Sequence, residues 1–583
     1  MIPTKRLISI LWTLALCTLA LAPAATLTYA AQMDHALSAK SNSGNAPEMV
    51  GVILQTIGPP SASHAAVVRA FGGNPGSPFS TVSGFPAQVP SPALKGLANN
   101  PHFALVSADA EMQAFWDMNA AGSIAGATAA RSAYAVNGKG IGVAVLDSGV
   151  ISNHADMKNG ASLYDAVATF TDFVDPLNKA KVDPYGHGSH VAGLIAGNGY
   201  LVGSFTGASP SAFLHVLRVL DGTGRGTVSR VLYGLDWVRR NASTYNIRVV
   251  NLSLGHPVYE SYSTDPLCRA VADLVNRGIV VVTAAGNYGR MQDGTTIYGG
   301  ILSPANSPYA LTVGAMNPAG TLSRGDDVIA GFSSRGPTYL DNEVKPDLVA
   351  PGAFVVSLFA PGSYFATTYS DLKIESTLFG QGTGADDYFT LSGTSMAAPV
   401  VSGIVALMLQ KNPSLTPNLV KGILQYTAED RGYDIMTQGA GYVNAVGALE
   451  AASKITSSPG SYGDFEYWLS APLSGQSMIN GESVLWLGSI FTSQSIIWSG
   501  FNTPALALNI TDLWSLGVIW NVMALMNDSQ FESSGLDATA VTWNFNGSLS
   551  SSSVLWWNLT GNLGLSAEDV VYGEGYTWTG PKK

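Results

Sequence analysis

The chain reads as an α/β protein: a parallel sheet with helices on both faces, preceded by a small α+β module and followed by a tail of repeated short strands. Three observations predict this. From residue 139 to about 455, the apolar runs "GIGVAVLDSG", "VVNLSLG", "GIVVVTAAGN" and "YALTVGA" alternate with helical patterns. Runs without polar alternation belong to strands covered on both faces, the condition of a parallel sheet. Residues 48–113 alternate strands and helices on a shorter scale. Residues 456–583 change composition altogether.

The first 30 residues form a targeting segment. Lys5 and Arg6 precede the apolar run Leu7 to Ala22, and Thr28-Tyr29-Ala30 offers small residues for cleavage after Ala30. The run is short for a membrane span, and no later stretch is long and apolar enough to cross a bilayer. The reading is a cleaved signal peptide and a secreted protein without a transmembrane anchor. Cys17 leaves with the signal. Cys268 then stands alone, so an intrachain disulfide is excluded. On a helix it shares a face with Val271 and Val275, the position of a core residue.

Composition narrows the function. Of 583 residues, 46% are hydrophobic and only 12% charged, about half the usual charged share. The net charge of -11 gives no footprint for nucleic acid or an anionic membrane.

Residues 31–113 form the next segment, with a compact core from 48. "MVGVIL", "TVSGFPAQV" and "HFALVSAD" read as strands, with helices over "SASHAAVVRAFGG" and "SPALKGLANN" between them. A connector rich in Ala, Gly and Ser opens the segment 114–455, which holds the parallel sheet. In such folds ligands bind at the carboxyl ends of the strands, where this chain places Asp147, Ser253 and Asn287. The tail, 456–583, holds Trp468, Trp486, Trp498, Trp514, Trp520, Trp543, Trp556, Trp557 and Trp578 on variants of one short strand unit, such as "SVLWLGS" and "SVLWWNL". Tryptophans on such strands serve as core or as sugar platforms.

Three motifs carry chemistry. "VLDSG" puts Asp147 at a buried strand end, "YGHGSHVAGLIAG" puts His187 among glycines at a helix start, and "SGTSMAAP" puts Ser395 at the head of an apolar helix. Acid, imidazole and hydroxyl are the parts of a nucleophilic relay. Each motif alone has a plain alternative: "DSG" is a common turn, and Ser395 would serve as an N-cap. Their chain order, Asp, His, Ser, on a parallel α/β scaffold favours the relay.

The motifs "VAVLDSGV", "DPYGHGSHVAGLIAG", "VVNLSLG", "VVTAAGN", "FSSRGP", "KPDLVAPG" and "LSGTSMAAP", in this order over residues 139–455, resemble those of the subtilases, the subtilisin-like serine peptidases. The resemblance implies a subtilisin-like fold and a secreted endopeptidase acting on protein or peptide substrates through an acyl-enzyme. It implies Asp147 as orienting acid, His187 as general base and Ser395 as nucleophile. Asn287 would donate to the oxyanion together with the Ser395 N–H. Ser253, Leu254 and Gly255 would pair with an extended substrate. Ala284, Ala285 and Gly286 would wall the pocket for the residue preceding the scissile bond. His190 is expected to be structural.

The 31–113 segment resembles, by position, size and element pattern, the inhibitory propeptide of this family, an intramolecular inhibitor; the alternative is an independent N-terminal domain. No cofactor is required for the chemistry. Structural calcium is compatible with acids such as Asp172, Asp175, Asp386 and Asp387, with no site identified. Ser189 stands where the family usually has Thr, Val400 where many members have His, and the stretch 361–389 is longer than in compact members. The rival reading of a different class is a secreted binding or adhesion protein with an inert peptidase fold.

Overall fold

The computed structural model describes residues 32–33, 37, 48–109, 111–114, 123–151, 153–158, 165–291, 294–379, 387–455, 470–492, 495–498, 542–543 and 549–550. The expected signal peptide, Asp386 and most of the Trp-rich tail lie outside them. The chain divides into two units: Met1–Gly76 with Ser83–Ala108, and Ser77–Val82 with Asp109–Lys583.

The first unit contains β1 (Met49–Thr56), α1 (Ala62–Ala70), β2 (Gly84–Pro90), α2 (Leu94–Ala98) and β3 (Phe103–Ala108). β1 is central and antiparallel to both β2 and β3. Val50, Val52 and Leu54 recur at the two-residue spacing of a strand and meet Val68 of α1, Leu94 and Leu97 in one apolar core.

The second unit begins with β4 (Glu111–Ala114), α3 (Ala127–Tyr134), β5 (Gly142–Asp147), β6 (Val167–Asp172), α4 (His187–Ala196), β7 (Phe213–Arg218), β8 (Arg225–Thr227), α5 (Val228–Tyr245), β9 (Ile247–Leu252), β10 (Leu254–Gly255), α6 (Pro266–Asn276) and β11 (Val280–Ala284). It continues with β12 (Leu311–Asn317), β13 (Val328–Ile329), β14 (Leu348–Pro351), β15 (Val355–Leu358), α7 (Tyr364–Thr368), β16 (Lys373–Ile374), β17 (Tyr388–Leu391), α8 (Thr394–Lys411), α9 (Pro417–Thr427), α10 (Ile435–Gln438) and α11 (Ala445–Lys454). The hairpin β18 (Gln476–Ile479) and β19 (Glu482–Leu485) follows.

The main sheet runs β13–β12–β11–β9–β5–β7–β6, with β14 also on β12. All its pairings are parallel except β12 with β13. α4 and α8 pack together on the sheet, and α5 packs with α6. Every residue of β5 and β11 is buried, as their unbroken apolar runs require. α8 is buried from Thr394 to Leu409 except at Val400. Contrary to the expectation that no stretch after the signal has the length and apolarity to cross a bilayer, α8 is the one described helix that has both, but 83% of it is covered by protein; its apolarity belongs to the core.

Packing continues past residue 455. Trp486 is 2% exposed and donates from Nε1 to Ser477 Oγ at 2.8 Å. Ser477 also takes a bond from Asn444 at the start of α11. Glu482 accepts from Ser323 Oγ and Arg324 N, and Leu487 N donates to Ala428 O. Arg324 is itself buried, held by Glu429 and the Tyr442 ring.

Candidate active site

β5 brings Asp147 to its carboxyl end, β9 runs out into Ser253, and β11 runs out into Ala285-Gly286-Asn287. β9 lies between β11 and β5 in the sheet. The three strand ends therefore present an acid, a hydroxyl and an amide side by side, where parallel sheets gather ligands.

His187 opens α4. Its Nδ1 lies 2.8 Å from Asp147 Oδ1 and 3.0 Å from Oδ2, and both side chains are fully buried. The carboxylate accepts, so Nδ1 carries the proton and Nε2 keeps its lone pair. A second acid organises this corner. Asp183 Oδ1 accepts from Ser148 Oγ and Gly186 N, and its Oδ2 accepts from Ser189 N and Ser189 Oγ, all at 2.6–2.8 Å. Ser148 Oγ in turn accepts from Gly188 N. One buried carboxylate thus binds the residue after Asp147 to the turn and first residues of the His187 helix. "DPYG" reads as a turn, so only its place four residues before His187 pointed to Asp183. Ser189, in the place of Thr, keeps the hydroxyl this bond requires.

His190 packs one turn further on. Its Nε2 lies 3.0 Å from both Val355 O and Phe389 O, and burial pulls its pKa down to about 3. It is a neutral core histidine.

Ser395 lies in the first turn of α8. Its Oγ donates to Ser253 O at 3.2 Å, and Ser253 Oγ donates back to Ser395 O at 2.8 Å. The second bond has a cause within the helix. A helical carbonyl is normally taken by the N–H four residues on, here position 399, and Pro399 has none. Ser253 supplies the donor that the helix lacks. Ser253 Oγ accepts from Asn251, which accepts from Ser402 of α8.

Asn287 Oδ1 accepts from Thr394 N at 3.0 Å and from Thr394 Oγ1 at 2.9 Å. These bonds turn its Nδ2 away, and this buried donor has no partner among the described residues. Gly286 has φ +109°, and a Cβ there would lie 2.9 Å from Ser334 Oγ and 3.0 Å from Leu302. Only glycine fits this approach.

β10 is not a bare edge. β4 lies antiparallel between β8 and β10, with Gln113 opposite both Arg225 and Gly255, and Ala114 opposite Leu254. Just before β4, Asp109 accepts from Ser229 N and Oγ at the start of α5.

Cys268 lies in α6, buried, with Sγ 3.2 Å from Asn306 Oδ1; burial pushes its pKa well up, so the thiol stays protonated. Asp172 is engaged by Arg218 and Asn178, and Asp387 by Lys373 and Ser376. Among the described residues no three His, Cys, Asp or Glu side chains converge as metal ligands do.

A parallel sheet that holds a buried acid–imidazole pair at the end of one strand and a helix-borne serine bonded to the end of the next has the parts expected of the class of α/β serine hydrolases. Comparison with known proteins narrows the class. Residues 138–443, just over half of the chain, match the sequence profile of the subtilase family. The chain is 38% identical over 325 residues to serine protease AprX of Bacillus subtilis (strain 168), covering 54% of this chain and 67% of that protein. It is 32% identical over 392 residues to subtilisin amylosacchariticus of Bacillus subtilis subsp. amylosacchariticus, covering 67% and 87%. Among solved structures, fervidolysin from Fervidobacterium pennivorans, a keratinolytic enzyme related to subtilisin, superposes with a TM-score of 0.54 at 20% identity, over 77% of this chain and 64% of its own, a likeness of fold. The chain belongs to the subtilase family and is a subtilisin-like serine endopeptidase.

Proposed function

We propose that the chain is a secreted endopeptidase made as a precursor, with Asp147, His187 and Ser395 as its triad. Ser395 attacks the peptide carbonyl, His187 takes its proton and returns it to the leaving amine, and Asp147 stabilises the imidazolium. The acyl-enzyme is then hydrolysed. Asn287 Nδ2 and the Ser395 N–H hold the oxyanion, helped by the positive end of α8. The relay supplies its own base, so this reading calls for no cofactor.

The observation that carries the proposal is the pair of constraints at the strand ends. The buried Asp147 carboxylate leaves the far nitrogen of His187 as a base. The Thr394 bonds leave the Asn287 amide as an unpartnered donor beside Ser395. An inert binding fold has no need to keep either.

Substrate would bind as an extended strand on Ser253, Leu254 and Gly255, its residue before the scissile bond against Ala284, Ala285 and Gly286. The chain's own residues 111–114 lie along β10, as such a substrate would. This supports reading 31–113 as an inhibitory propeptide, following a signal peptide over 1–30, with 114–455 as the peptidase domain. Of the expected tail 456–583, the hairpin β18–β19 and Trp486 pack on that domain, and the remainder is read as an accessory tail.

A fluorophosphonate probe should label mature protein and fail on Ser395→Ala. That variant should lose kcat by a factor on the order of 10⁶, the loss known for the nucleophile of a subtilisin, and its precursor should stay uncut near 114–131. Absence of labelling of mature wild type would support the inert binding fold instead.

A further inference from the structure

The first part of the lengthened stretch after β15, around α7, is docked beside the histidine. Ser363 caps α7, accepting from Ala366 N. Tyr364 N donates to Pro184 O at 2.8 Å and Phe365 N to Tyr185 O at 3.1 Å. Gly186, the residue before His187, has φ +101°, and a Cβ there would lie 2.6 Å from Ser363 Oγ. α7 therefore sits on the turn that leads into His187.

The contact is aromatic. The Tyr185 ring stacks on Tyr364 at 5.7 Å and 19°, meets Phe365 at 4.5 Å and stands 6.4 Å from the His187 ring. Tyr185 is 3% exposed, whereas Tyr364 keeps 40% of its surface open. Tyr185 also reaches Gly224, where a Cβ would lie 2.4 Å from the ring. Gly224 immediately precedes β8, which flanks the track that β4 follows.

Sheet order decides which substrate residue meets this surface. β9 has β11 on one side and β5 on the other. A strand lying on β10, the continuation of β9, points successive side chains to opposite sides. The residue before the scissile bond points toward the Ala284–Gly286 wall, so the one preceding it points toward His187 and Tyr185.

We infer that Tyr364, stacked on Tyr185, is a specificity-determining residue for the substrate position second before the scissile bond, and that it selects a large apolar or aromatic side chain there. The inference rests on the triad reading above. It gives the long insertion a purpose at the cleft, whose wall it extends with an aromatic face that the turn at 184–186 cannot supply alone.

The test uses two peptide p-nitroanilides differing only at that position, Phe against Gly. Wild type should favour Phe by roughly ten-fold in kcat/KM, the order of discrimination an apolar contact provides. Tyr364→Ala should remove most of that preference through KM, and Tyr364→Phe should keep it. Each ratio is taken within one variant, so a partly unfolded preparation cancels. An unchanged ratio in Tyr364→Ala overturns the inference while leaving the peptidase reading intact. So does an equal loss in Tyr364→Phe, which would assign the effect to the hydroxyl. If wild type cleaves neither peptide and takes no fluorophosphonate, the triad reading falls and this inference with it.

Discussion

At the scale of single residues, the site depends on where polar groups are denied partners. Asn287 spends its oxygen on Thr394 and holds its amide in reserve. Asn287→Ala should lower kcat by roughly 10²–10³ with little change in KM, the loss known for a subtilisin oxyanion donor; a change confined to KM would make Asn287 a binding residue. Pro399 likewise denies Ser395 O its helical donor and hands it to Ser253. Ser253→Ala should leave that buried carbonyl unpaired and cost about 1–3 kcal/mol. With Pro399→Ala in place, the new N–H takes the carbonyl, so the second substitution should cost less. A double-mutant cycle by urea unfolding should show a coupling of about 1 kcal/mol, and additive costs would refute the exchange. Of these details, the sequence made Asp147, His187, Ser395 and Asn287 legible, because each sits at a strand end or helix start with its own short motif. Asp183 was not, because three of its bonds are those of an ordinary turn into a helix, and the fourth, from Ser148, exists only after α4 has docked on β5.

Among the elements, unbroken apolar runs announced β5, β9, β11 and β12, half of the main sheet, whereas β6 mixes polar and half-exposed positions and carried no such signal; the apolar α8 is as buried as its composition demanded. Two placements had no local signal. The first is the seat of α7 on Tyr185, a packing between segments far apart in the chain. The second is the hairpin of β18 and β19. In sequence, "SVLWLGS" reads as one more copy of the tail repeat; in the fold, Trp486 is core against Gly447 of α11. Trp486 and Glu482 tie this hairpin to the same unit as the site. A chain ending at Trp498, which keeps the strand Ser489–Thr492 packed on α9, should therefore melt like the full protein, whereas one ending at Ile455 should lose on the order of 3–5 kcal/mol, the scale of deleting a buried Trp. Equal melting temperatures for the two truncations would make the hairpin dispensable.

For the whole molecule, acid sensitivity follows from buried imidazoles. His190 is held down to about pKa 3 and His215, buried against Tyr245 and Trp237, to about 4; burial is the main cause in both. In the unfolded chain each takes a proton near 6.5. Between these values the unfolded state binds more protons, so stability falls as pH drops below about 6.5 and goes on falling toward pH 4. In a Ser395→Ala background, which removes self-digestion, His215→Gln should shrink the fall in melting temperature between pH 7 and 5. An unchanged fall would mean that His215 titrates normally in the fold.

The pairing of residues 111–114 with β8 and β10 has a consequence for how the molecule would behave in solution. A segment held in cis competes at an effective concentration of about millimolar, set by the tether and indifferent to dilution. Once the backbone is cut, the same segment becomes an ordinary bimolecular ligand, and mass action decides its occupancy. Dilution of a freshly cleaved sample should then release activity, whereas dilution of the uncut chain should release none. The peptide bond near this strand would serve as the clock of the precursor, since cutting it turns a fixed occupancy into one that time and volume can drain away.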